Sequence, residues 1–523
     1  MHCPTVLVLA ALLALPFSAG AERPNILLLF ADDLGRYASA YAASGQPSPN
    51  DIVSTPVFDK VAAEGALFTN AFVSAPSCTP SRASLYTGRH FFRNGSHSQL
   101  HFRWQKGTPD PFDKVEGMPN LLAKAGYHVG YTYKWHMRES LIGGSENRYA
   151  KRGQRLNGYS QNVSKAGDAA AAKEAIMDEV RGNFRDFLAR RKDGQPFFYS
   201  FNPTNPHRTW VKGSGKKLWG LDPDHLKGTL PPFLHDDEIN REDFADYLGE
   251  GMAFDAACGA ILAELKELGE YENTLICITG DHGAPGFPRG KCNVYDFGAR
   301  VLLAMRWPET ISGGRRVEVP VSLIDLAPTF LAAAGLDPEK GTNGANLLPA
   351  LARGSKDESL RAWALIGREV HVGSAREGHL PYPVRALRTA EFLYVMNLKP
   401  ERWPMGDPKS ITDDSNPEWK VLTSKTRAGY ADIDAAPAKA WLVQNRKEAG
   451  MVPFTDWAWG KRPAEELYDL RKDPHQLKNL AGDEAYADDR RRLRTQLMDE
   501  MKANEDPRLT DAFDQPPYCV PSR

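Results

Sequence analysis

Three stretches of the chain are apolar at consecutive positions and then stop at residues that can do chemistry. Asn25-Ile-Leu-Leu-Leu-Phe30 runs into Ala31-Asp32-Asp33, and Thr274 to Thr279 runs into Gly280-Asp281-His282-Gly283. Pro196 to Phe201 runs into Asn202-Pro203-Thr204-Asn205-Pro206-His207. A strand apolar on both faces is a strand covered on both faces. Between these runs lie segments with helical spacing, Met118 to Ala125 and Tyr247 to Leu268. Strands alternating with helices predict an α/β fold with a large, mostly parallel sheet sandwiched by helices. In such sheets a ligand site lies beyond the carboxyl ends of the strands. The pattern changes after Leu326-Ala327-Pro328: Ala386 to Asn397 reads as strands, a polar stretch follows, and Glu466 to Leu480 precedes a charged helix over Asp483 to Asn504. This predicts a large domain over 22–354 and a smaller C-terminal α+β domain over 355–523.

The chain has 523 residues, enough for more than one domain, and 65 basic against 66 acidic residues leave a formal net charge of -1. Nothing global therefore selects nucleic acid or an anionic membrane as partner, and an anionic ligand must be attracted by local charges. Val6 to Pro16 is apolar and Ala19-Gly20-Ala21 has small-x-small spacing, which predicts a signal peptide over 1–21 and a secreted or periplasmic protein, lysosomal if eukaryotic. That run is too short for a membrane span. The six cysteines lack CxxC spacing, which argues against a zinc site. The sequence fixes neither their pairing nor an oligomeric state.

The strand ends hold the candidate chemistry. Adjacent carboxylates at one strand end, Asp32 and Asp33, are costly without a positive charge between them. With Asp281 and His282 at another strand end they predict a site for a hard cation, calcium or magnesium. Arg82, Lys134, His136, His207 and Lys291 together supply what a sulfuryl-transfer site needs, cations around equatorial oxygens and an acid for the leaving group.

Cys78-Thr-Pro-Ser-Arg82, followed by Ala-Ser-Leu-Tyr-Thr-Gly-Arg89, resembles the motif by which formylglycine-dependent sulfatases, of the alkaline-phosphatase-like superfamily, mark one cysteine for oxidation. The resemblance spans about 23 to 510 and includes Arg23-Pro-Asn-Ile-Leu through Asp33, Ala125-Gly-Tyr through Lys134-Trp-His136, Gly280-Asp-His-Gly283, Gly290-Lys291 and Glu466-Leu-Tyr-Asp-Leu. It implies that Cys78 becomes 3-oxoalanine (formylglycine) through a formylglycine-generating enzyme. It also implies that Asp32, Asp33, Cys78, Asp281 and His282 bind one Ca2+, or Mg2+, and that Arg82, Lys134, His136, His207 and Lys291 contact the sulfate or the nucleophile. This chain has His282 where the family often has Asn, and Tyr133 where it usually has Gly before the Lys-Trp-His segment.

The implied activity is hydrolysis of a sulfate ester or sulfamate on a saccharide. Within the family, Asn205-Pro-His-Arg208, Phe112-Asp-Lys-Val115 and Arg368-Glu-Val-His371 with Tyr382-Pro-Val-Arg385 resemble heparan N-sulfatase (sulfamidase)-like members. An O-sulfatase on another glycosaminoglycan or algal polysaccharide is the alternative, and a phosphoesterase or phosphonate hydrolase shares the expected fold. A noncatalytic scaffold would have lost one of these positions. His97 to Trp104 and Arg368 to Arg385 read equally as walls of a sugar pocket or as solvated loops.

Overall fold

The computed structural model describes residues 23–42, 47–355 and 360–521. The expected signal peptide over 1–21 lies outside them. Among the described residues no helix is long and apolar enough to cross a membrane.

Asn25–Ala31 is buried throughout and sits inside a seven-stranded sheet. The order across that sheet is 128–133, 197–202, 25–31, 274–280, 303–306, 66–68 and 315–317. The first four strands are parallel, and 303–306 is antiparallel to both its neighbours. The continuous apolar runs have the expected cause. Ile26, Leu28 and Phe30 enter one core, with Leu85 and Phe330, while Leu27, Leu29 and Ala31 enter another, with Tyr247 and Ile261. A strand between two cores has no polar face to show.

The long helix begins at Glu238, well before the apolar pattern at Tyr247, and ends at Glu267. Asp237 caps it by accepting from the backbone N–H of Ile239 and Asn240 at 2.8 and 3.0 Å. Its first turns look polar because Asp243, Asp246 and Glu250 are buried there as hydrogen-bond acceptors.

A second, antiparallel sheet orders 363–368, 384–389, 392–397 and 465–469. Helix Ala487–Ala503 covers it, with Leu493, Leu497 and Met501 packed against Leu387, Tyr394 and Leu467. The fold is thus the expected α/β sandwich with a smaller antiparallel-sheet unit.

Candidate active site

Strand register brings the acidic residues together. Ala31 pairs with Gly280 in parallel register, so Asp32-Asp33 and Asp281-His282 emerge side by side. The Asp281 N–H donates to Ala31 O at 3.1 Å, and the Asp33 N–H donates to Asp281 Oδ1 at 2.8 Å. On the other flank Tyr133 pairs with Asn202, and the Lys134 N–H donates to Asn202 O at 2.8 Å. Lys134 Nζ then lies 2.7 and 2.6 Å from the two Asp32 oxygens. Turning sharply at these strand ends puts several non-glycine residues in left-handed backbone: Asp33 at φ 66°, Tyr133 at 68° and His136 at 57°. Tyr133 thus adopts the conformation that glycine supplies without steric cost. At Gly283 any Cβ would stand 1.9 Å from Phe297 O, so only glycine fits the Asp-His-Gly turn.

Cys78 is the first residue of helix Cys78–Thr87, every residue of which is buried. Its Sγ lies 3.3 Å from His282 Nε2. Burial works against ionising this thiol, but Lys134 and Lys291 outweigh it and pull the pKa down to about 6. Burial likewise opposes the charge on His282, and Asp281 and Asp33 reverse it to about 9. Asp32 is held well below the carboxylate range because Lys134 and Arg82 outweigh its desolvation.

Donor atoms of Asp32, Cys78, Asp281 and His282 lie within 4.8 Å of one another, as do those of Asp32, Asp33 and His207. Asp33 Oδ1 is buried without a hydrogen bond, although His282 Nε2 stands 3.2 Å away. Three buried carboxylates with one unsatisfied oxygen suit a divalent cation of the hard, oxygen-seeking kind. All five residues expected at the metal are therefore brought together.

The five expected cationic and proton-transfer residues are placed unequally. Lys134, His136, His207 and Lys291 line one cavity with Cys78. Lys291 Nζ bridges Asp33 Oδ2 at 3.1 Å and Asp434 Oδ2 at 3.3 Å. His207 Nδ1 is 2.6 Å from Arg208 O, which leaves Nε2 facing Asp33 Oδ2 at 3.9 Å. Arg82 is fully buried and is not among the cavity's lining residues. It sits behind the thiol, with Nε 2.9 Å from Asp281 Oδ2 and Nη2 3.3 Å from Asp32 Oδ1. Its position supports the carboxylates rather than an incoming sulfate.

Further polar residues in the cavity stand beside the expected core site. His101 Nδ1 meets His136 Nε2 at 2.9 Å. His371 Nδ1 meets the Oγ of Ser77, the residue before Cys78, at 2.8 Å. Asp434 and Arg427 come from the polar stretch after 397. The two ambiguous segments divide. Leu100 to Trp104 and His371 to Gly373 line the cavity. His97 is instead stacked on Phe112 with centroids 3.7 Å apart. Arg368 and Arg385 are buried in ion pairs away from it.

A family profile described as Sulfatase matches residues 24–336. Human N-sulphoglucosamine sulphohydrolase is 30% identical over 530 residues, covering 95% of this chain and 93% of its own. An ulvan-active sulfatase of Formosa agariphila is 26% identical over 515 residues, covering 91% of this chain and 74% of its own. In fold, the chain is similar to a structure from work on glycosaminoglycan metabolism by Bacteroides thetaiotaomicron, with a TM-score of 0.63 at 19% identity and coverage of 95% and 100%. The profile spans more than half of the sequence and the human relative nearly all of it: the chain belongs to the sulfatase family and is a sulfatase.

Proposed function

We propose that residue 78, oxidised from cysteine to formylglycine, hydrolyses a sulfamate or sulfate ester on a saccharide, with N-sulfated glucosamine as the first substrate to test. The observation that carries this is the seating of Cys78 Sγ between Lys134, Lys291 and the carboxylate cluster, inside a cavity of about 1320 Å³. The N-sulfo reading is supported by the extent and identity of the match to the human sulphohydrolase. The ulvan-active relative supports O-sulfate on an algal polysaccharide as the second reading.

A divalent cation would be held by Asp32, Asp33, Asp281, His282 and residue 78, where it supplies Lewis-acid charge neutralisation of the sulfuryl oxygens. The chain's own groups account for the proton traffic. One hydroxyl of the hydrated aldehyde gives its proton to the neighbouring Asp281 carboxylate, and its oxygen bonds to sulfur as the sulfur bond to the sugar breaks. His207 Nε2 gives its proton to the departing oxygen or nitrogen, while Lys134 and Lys291 offset charge on the sulfuryl oxygens. The remaining hydroxyl then yields its proton to His136, its oxygen closes the carbonyl, and the bond from carbon to the sulfate oxygen breaks. Sulfate leaves and the aldehyde is restored. A simple alcohol lacks the second hydroxyl and has no such exit.

The test has two arms. Mass spectrometry of the peptide around residue 78, after coexpression with a formylglycine-generating enzyme, should show a residue lighter than cysteine; thiol alone rejects the mechanism. Sulfate release from N-sulfoglucosamine, glucosamine 6-sulfate and sulfated ulvan fragments then ranks the substrates. Preference for either O-sulfate overturns the N-sulfo reading, and turnover that survives Cys78→Ala overturns the nucleophile.

A further inference from the structure

The cations that line the cavity fall into two groups. Those near the nucleophile are paired: Lys134 with Asp32, Lys291 with Asp33 and Asp434, and Arg138 with Asp110 and Asp113. Arg103, Lys106 and Arg427 line the same cavity and have no carboxylate partner among the described residues. Arg103 is the more telling of these. Its Nε, Nη1 and Nη2 are all buried without a hydrogen bond. A buried charged group left unpaired is costly, and such groups are found with a partner or a ligand.

Both walls that carry these cations are braced. Arg427 belongs to a loop fixed from beneath by Lys439, whose Nζ donates to Thr426 O at 3.1 Å, Tyr430 O at 3.3 Å and Ile433 O at 2.8 Å. Asp432 in the same loop accepts from the Val372 N–H at 2.8 Å and from Arg376 Nη2 at 2.7 Å. Opposite, the Gln105 N–H donates to Pro517 O at 3.0 Å, and the Arg103 guanidinium lies over Gly373, where a Cβ would come within 2.6 Å of Nη1. Solvated loops do not need such support. A cavity of about 1320 Å³ also exceeds the roughly 300–1,000 Å³ that encloses one small ligand.

We propose that Arg103, Lys106 and Arg427 form a second anion subsite, which reads another sulfate or a carboxylate on the saccharide besides the group that is cleaved. The substrate is then a polyanionic saccharide with at least two acidic groups. Arginine suits this role, because its planar fork matches carboxylate and sulfate oxygens two at a time. The proposal rests on the saccharide sulfatase reading above and narrows it.

The test compares kcat/KM for N-sulfoglucosamine and glucosamine 6-sulfate with that for glucosamine N,6-disulfate, and for an N-sulfated disaccharide ending in a uronic acid. The doubly anionic probes should be preferred by about tenfold or more, which is one charge-assisted contact. Rising salt should shrink that preference. A preference confined to the disulfate identifies a sulfate subsite, and one confined to the uronate a carboxylate subsite. Arg427→Gln, on the exposed face of its loop, and Arg103→Gln should each bring the ratio toward one. Calorimetric binding of glucosamine N,6-disulfate to the Cys78→Ala enzyme should weaken in step, independently of turnover. Equal kcat/KM for all probes, or a preference that both substitutions leave intact, overturns the subsite while the sulfatase reading stands. No sulfate from any probe, with no binding to Cys78→Ala, overturns both.

Discussion

His101 Nδ1 and His136 Nε2 stand 2.9 Å apart in the wall of the cavity that Cys78 lines. One ring must donate and the other accept, so each fixes the other's tautomer. Burial, with Lys134 nearby, pushes His136 down to about 3, which keeps the ring neutral at ordinary pH. Thr79 ties both segments to the helix that begins at Cys78: its hydroxyl donates to His136 O and accepts from the His101 N–H, each at 3.2 Å. His101→Ala should lower kcat by roughly 10- to 100-fold with little change in KM, and His101→Asn should recover part of it. A fall in KM alone, or full activity in the alanine variant, contradicts this positioning role.

Removing a bound cation should expose the repulsion that the acidic cluster contains. Chelation is expected to abolish sulfate release and to lower the thermal midpoint, with recovery on adding Ca2+ or Mg2+. The stabilisation at a hundredfold excess over Kd would be about 2.7 kcal/mol. Asp33→Asn removes a charge from the crowd, so its melting point should fall less on chelation than that of the parent. A parent enzyme indifferent to chelator would refute the cation site.

Much of this centre was legible along the chain. Asp32-Asp33 and Asp281-His282 stand out because each follows a strand buried on both faces, and parallel register then brings them together. The Cys78 motif is continuous in sequence and so visible at once. His101 and His371 were legible only as members of two candidate wall segments, and Arg427 and Asp434 were not legible at all, for the opposite reason. They sit in irregular segments with no periodicity, and only tertiary contacts such as Ser77 with His371 deliver them to the cavity. Arg385 misled in the other direction. Its segment read equally as a sugar wall or a solvated loop, yet Arg385 is neither: it is sealed between Asp506, at 2.6 Å, and Glu369, at 2.8 Å.

That seal predicts a large stability effect far from the chemistry. Arg385→Met would strand Asp506 inside the second sheet's unit, while Glu369 keeps its pair with Arg508. Breaking a buried pair in this way costs about 3–5 kcal/mol. The denaturant midpoint should fall accordingly, and a loss under about 1 kcal/mol would contradict the reading.

Lys439 gives a pH signature to the loop that carries Arg427 and Asp434. Burial lowers its pKa from 10.5 to about 8, against the opposing pull of Asp434 and Asp432. The folded state therefore holds this proton less tightly than the unfolded chain does. Its ionisation contributes stability that is fully present above pH 10.5 and is lost as pH falls through about 8. The melting-point gap between the parent and Lys439→Met should widen as pH rises across that window. A constant gap would show that the ammonium does not titrate there.

Cys78 is only 2% exposed, and Pro80 and Arg82 behind it are wholly enclosed in the same helix. Any enzyme that recognises this segment in order to oxidise it meets a closed surface once the chain has folded. If residue 78 is oxidised as proposed above, maturation and folding compete in time. A host that folds the chain quickly would accumulate a well-formed but inert thiol protein, and no later supply of the oxidising enzyme would rescue it short of unfolding. Yield of active protein becomes a matter of biogenesis, set by how long this helix stays open.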